Sequence, residues 1–236
     1  MVRMETPAPE TVSLPSGPAR VEFRHSARAR RVSLRIDPRA GAVVVTLPPR
    51  AGRRAGMALL TSHADWVADR LAALPDAIPF ADGALVPIGG ILHRIRHCPE
   101  RRGGVWIEGK EIRVSGEPGF LARRVGAFLR AEARRRLAPL LAEAACRLGV
   151  KPVRLLLKDT RSRWGSCARG GTIALSWRLV LAPSFVQEYV VAHEAAHLLH
   201  MNHGPQFWRT LESVCPHRTR ATAWLHGEGA RLLRIG

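Results

Sequence analysis

The chain has 236 residues, of which 46% are hydrophobic, which excludes an intrinsically disordered segment and allows one substantial core or two small ones. The formal net charge of +18 is carried almost wholly by arginine, with lysine only at Lys110, Lys151 and Lys158. No apolar run reaches the roughly 18 residues that a membrane-spanning helix requires.

Residues 1–19 contain Pro, Ser and Thr but no apolar core of a signal peptide, and they read as a flexible tail. Residues 20–117 form a β-rich, basic N-terminal domain. Its first strands fall at 21–24, 31–36 and 42–47, the last stopped by Pro48-Pro49. Helical periodicity follows over 53–74, through Met57, Leu60, Trp66 and Leu71. Further strands are expected at 84–88, 91–96, 105–108 and 111–114, separated by glycine-containing turns.

The pattern changes near residue 117. Residues 120–148 read as a long helix, or two if Pro139 divides it, with Gly149 as its stop. Strands at 153–157 and 172–175 come next, then a helix from Phe185, a turn over 202–205 and two more helices. The fold class is α+β, with a β-rich N-terminal region followed by a mainly helical region containing a small sheet.

The helix from Phe185 carries the chemistry. His193-Glu194-Ala195-Ala196-His197 is an HExxH motif, and residues four apart share one helix face. Two imidazoles so placed can bind one Zn²⁺, with the intervening Glu194 able to take a proton from water. Ser184 and Gln187 have the spacing of a capping box. The remaining helix positions are almost all apolar, and a carboxylate buried among them needs compensation that a metal supplies.

A catalytic zinc commonly takes three protein ligands, so a third must come from beyond the helix. His203 reaches the metal if the chain turns at Asn202, a residue suited to the left-handed conformation, before Gly204-Pro205. The competitors are His200, Glu212 and His217. His200 shares the face of His193 and His197, and three ligands on one straight helix surround an ion poorly. Glu212 is also a candidate for orienting a ligand imidazole.

The segments RWGSC (163–167), IALSWRLVLAP (173–183), YVVAHEAAH (189–197) and NHGPQFW (202–208) resemble, in order and spacing, the YgjP-like metallopeptidase family, which is related to the WLM and SprT-like zinc peptidases. The resemblance is strong over residues 160–210 and looser over the N-terminal region. It implies a zincin-like metallohydrolase domain over residues 118–236. In it His193, His197 and His203 hold one zinc ion, Glu194 is catalytic, and a peptide or protein is the substrate. Ala195 departs from the larger apolar residue common at that place.

Other features carry a functional reading beside a structural one. Arg161, Arg163 and Trp164 either line the substrate cleft, with an arginine stabilising developing negative charge, or form a structural turn. The segment containing Ile173 and Leu175 is either a sheet edge that takes the substrate as an added strand or an ordinary core strand. Cys167 is a weaker nucleophile candidate, because the HExxH motif already accounts for the histidines. Tyr189, one turn before His193, reads as core. The arginine excess is either a compositional preference or a surface for nucleotides or nucleic acid. The sequence shows no nucleic-acid motif and little aromatic interleaving. Hydrolysis of a nucleotide or phosphoanhydride at the same site, and a nucleic-acid-associated peptidase or binding protein, are the alternatives to peptide hydrolysis. Four widely spaced cysteines suit a reducing cytoplasm, and the oligomeric state is left open.

Overall fold

The computed structural model describes residues 9–160 and 163–236, and the chain divides into one unit ending at Asp76 and another spanning Ala77–Gly236. In the first, β1 (Glu10–Leu14) and β2 (Gly17–His25) form an antiparallel hairpin. β4 (Ala42–Leu47) runs parallel to β2, and β3 (Ser33–Asp37) pairs antiparallel with β4, giving the order β1-β2-β4-β3. The hairpin corrects the expected tail: Val12 and Leu14 alternate with exposed neighbours, and this period of two buries both in the core.

The helix expected over 53–74 is two helices, α1 (Arg53–Ser62) and α2 (Ala64–Ala72). At the break, the Ser62 hydroxyl and the His63 ring both bond the Leu59 carbonyl, at 3.0 and 3.1 Å, in competition with the helix ladder. Gly56 allows α1 to approach the sheet, since a Cβ there would stand 3.0 Å from side-chain atoms of Phe23, Val45 and Leu47.

The second unit opens with β5 (Leu85–Ile88), β6 (Ile91–His97), β7 (Val105–Glu108) and β8 (Glu111–Val114), ordered β5-β6-β8-β7. Val86, Ile88, Ile95, Ile112 and Val114 share one core with Val125, Leu129 and Leu137 of α3 (Leu121–Arg147). The division therefore falls between Asp76 and Ala77, not near residue 117, where only the type of element changes. α3 continues through Pro139 for 27 residues and ends before Gly149, whose φ of +65° suits glycine.

Next come β9 (Arg154–Lys158), β10 (Gly165–Cys167) and β11 (Thr172–Ser176), in the order β10-β11-β9, with β11 parallel to β9 and antiparallel to β10. A 3₁₀ segment, Trp177–Leu181, leads to α4 (Ser184–Ala196), α5 (Pro205–Val214) and α6 (Arg218–Leu233). α4 packs against α3, α5, α6 and β10, so the motif helix lies at the centre of this unit. The α+β class stands as expected. No helix among the described residues is long and apolar enough to cross a membrane.

Candidate metal centre

α4 is buried along most of its surface, through Val186, Val190, Val191, Ala192, Ala195 and Ala196. Its start differs from the expected capping box. Pro183 precedes the first turn, Ser184 makes no capping bond, and the Gln187 amide donates to the Ala182 carbonyl at 2.7 Å. Its end differs too. Asn202 is not left-handed, because no non-glycine among the described residues has a positive φ. The helix closes through tight i→i+3 bonds, from Leu198 to Ala195 and from Leu199 to Ala196, and Pro205 then opens α5.

This turn brings His203 back onto the motif. One ring nitrogen from each of His193, His197 and His203 lies within 4.8 Å of the others, and the Nε2 atoms of His193 and His203 are 3.0 Å apart. Phe207, fully buried at the start of α5, supports all three imidazoles at ring-centroid distances of 4.9, 4.6 and 4.7 Å. Trp208 stacks on His203 at 5.5 Å, and the Arg218 guanidinium covers Trp208 at 3.6 Å. The His197 Nδ1–H donates to the His200 carbonyl at 2.9 Å. A carbonyl only accepts, so this bond places the free electron pair of His197 on Nε2, the metal-binding form.

The electrostatics agree with that chemistry. Burial, aided by neighbouring His197 and His203, pushes His193 down to about 4, and burial also lowers His203. Both imidazoles are thereby held neutral, as ligation requires. Burial pushes the Glu194 carboxyl up to about 7, with the Arg163 charge acting in the opposite direction. Glu194 Oε2 and His193 Nδ1 are buried without a hydrogen-bond partner among the described residues. Three convergent imidazoles beside a buried carboxyl whose Oε2 has no partner among the described residues fit a divalent cation that prefers nitrogen ligands.

The other candidates separate clearly. Arg163 and Trp164 border the site, while Arg161 lies outside the described residues. Ile173 and Leu175 are fully buried, and β11 is the central strand, so the expected edge strand is corrected to core. β10, which the sequence did not signal, forms that sheet edge. An added Cβ at Gly165 of β10 would stand 2.5 Å from Glu194 Cγ and Oε1. The His200 ring turns to Thr210 at 3.1 Å, Glu212 pairs with Arg218 at 3.2 Å, and His217 meets Glu188 at 3.3 Å. None of these three is in the cluster. Burial, then the charge of Glu194, raises the Cys167 thiol, so it is no activated thiolate.

Beside His193 and Glu194 lies a cavity of about 300 Å³ walled by Trp164, Tyr189, Val190, Thr222, Leu225 and His226. Tyr189 is buried as expected, yet it borders this space. Thr222, Leu225 and His226 on α6 were missed. Their three-and-four spacing was the available signal, but no motif tied it to the metal-site residues.

The model of the YgjP-like family, described as a metallopeptidase domain, matches residues 30–228. Among curated proteins no match was found. Among solved structures, the metallopeptidase zymogen of Pyrococcus abyssi abylysin is 25% identical over 41% of this chain and 87% of its own, with a TM-score of 0.32. The metallopeptidase zymogen of Methanocaldococcus jannaschii jannalysin is 16% identical over 39% of this chain and 95% of its own, with a TM-score of 0.36.

Proposed function

This chain belongs to the YgjP-like metallopeptidase family, and we propose that it hydrolyses peptide bonds with one zinc ion held by His193, His197 and His203 and with Glu194 as general base. The convergence of the three ring nitrogens within 4.8 Å carries this reading. Two nitrogens on a tetrahedral zinc, with bonds of about 2.0–2.1 Å, stand about 3.3 Å apart. The 3.0 Å between the His193 and His203 nitrogens is close to that spacing.

Bound zinc supplies Lewis acidity that activates water and polarises a carbonyl. Glu194 accepts the proton of the attacking water and passes it to the leaving nitrogen. Burial raises the Glu194 carboxyl, and a raised carboxyl is a stronger base than an exposed glutamate. Arg163, whose charge already acts on Glu194, offers a cation for the negative charge that develops on the substrate oxygen. Trp164 walls the adjacent cavity and limits water there.

The mostly apolar walls of that cavity support a peptide over a phosphate compound. Four free cysteines support a reducing, cytoplasmic setting. Glu194→Gln should retain zinc while lowering kcat on a peptide mixture by about 10²–10⁴-fold, read by mass spectrometry of the products. Wild-type turnover in this variant would remove Glu194 from the mechanism.

A further inference from the structure

α6 supplies more than packing. Thr222, Leu225, His226 and Gly229 fall on one stripe of the helix. The first three line the cavity that ends at His193 and Glu194. The fourth faces Trp164, where an added Cβ would stand 3.3 Å from the indole. Tyr189 and Val190 of α4 complete the apolar walls, and the Tyr189 ring meets His193 edge-on at 5.8 Å. Among the described residues, the formally charged side chains bordering the space are Glu194, assigned to the base, and Arg163, which is exposed.

A volume of about 300 Å³ is at the low end of small-molecule sites. It holds one large side chain and provides few polar partners for a polar one. Successive residues of an extended peptide are about 3.3–3.6 Å apart. A peptide with its carbonyl at the metal therefore has a flanking side chain within reach of a cavity that shares His193 and Glu194.

We infer that this cavity receives the substrate side chain flanking the scissile amide and selects aromatic or large aliphatic residues. Leu225 and Thr222 of α6, opposite Trp164, set its size. This inference rests on the peptidase reading for its location at the scissile bond, while the apolar preference can be measured without turnover.

Two measurements on the full chain test it. The first is cleavage profiling of a random peptide library by the zinc-loaded protein. The second is calorimetric binding of N-acetyl-phenylalanine amide and N-acetyl-alanine amide to the Glu194→Gln protein. The profile should favour large apolar residues at one position beside the cut by at least about tenfold, and the phenylalanine compound should bind tighter by a similar factor. Leu225→Trp should bring both ratios towards one, with zinc content and melting temperature unchanged. Leu225→Ala should shift the preference towards the largest aromatic side chains.

Glu194-dependent cleavage with a flat profile, or preferences unmoved by either Leu225 substitution, would overturn the pocket and leave the peptidase reading standing. Selective binding without any peptide cleavage would uphold the apolar pocket and overturn the peptidase reading. Tighter binding of a nucleoside monophosphate than of the phenylalanine compound would overturn the assigned ligand class.

Discussion

The absence of a side chain at Gly165 leaves room for Glu194 at the candidate site. With a Cβ at residue 165 only 2.5 Å from the Glu194 carboxylate, Gly165→Ala must displace the base or the strand. A base displaced by about 1 Å costs on the order of 10²-fold in rate. Gly165→Ala should therefore lose about that much kcat while zinc content, read by elemental analysis, stays near the parent value. Unaltered kcat would mean that Glu194 has more room than the contact allows. The sequence made the HExxH pair legible because helix geometry alone puts residues four apart on one face. The position of His203 depended on how the chain turns: the helix-ending residues pointed to it over His200, Glu212 and His217, and the family resemblance agreed. The supporting contacts were less visible. Phe207, which no metal-binding pattern singles out, lies beneath all three imidazoles. The His197 Nδ1–H is accepted by a backbone carbonyl, where the sequence had offered the Glu212 carboxylate.

Periodicity located most helices and strands because each buries one regular face. β10 escaped because Gly-Ser-Cys has neither length nor alternation. The central place of β11 escaped because an apolar strand reads alike at the edge and in the middle of a sheet. Arg178 was equally hidden among many arginines. It is 1% exposed, and it bonds Asp159 at 3.0 Å and the carbonyls of Leu232, Ile235 and Gly236 at the end of α6. This side chain ties the 3₁₀ segment before α4 to the helix that walls the cavity. Replacing it with alanine leaves those acceptors without their cation and should cost about 3–5 kcal/mol. In a chain of this size that corresponds to a fall of roughly 6–20 °C in melting temperature. Calorimetry showing no shift would mean that the buried network adds nothing to stability.

For the whole chain, the α+β class followed from the order of strand and helix patterns, but the division did not. The type of element changes near residue 117, whereas the core of β5 to β8 belongs with α3, and burial decides the unit. The arginine excess also extends beyond the N-terminal region: α3 carries Arg123, Arg124, Arg130, Arg134, Arg135, Arg136 and Arg147. Glu132 binds Arg135 and Arg136 at 2.6 Å, so part of this charge is paired. The three histidines and Glu194 all lie within Ala77–Gly236, so the proposed zinc centre belongs to this unit. Elemental analysis of the purified full chain and of His203→Ala tests it most directly. The predicted result is close to one zinc per chain in the parent and a sharp loss in the variant. A parent that is free of zinc and takes up none on titration, or a variant that keeps the full complement, would contradict the three-histidine centre.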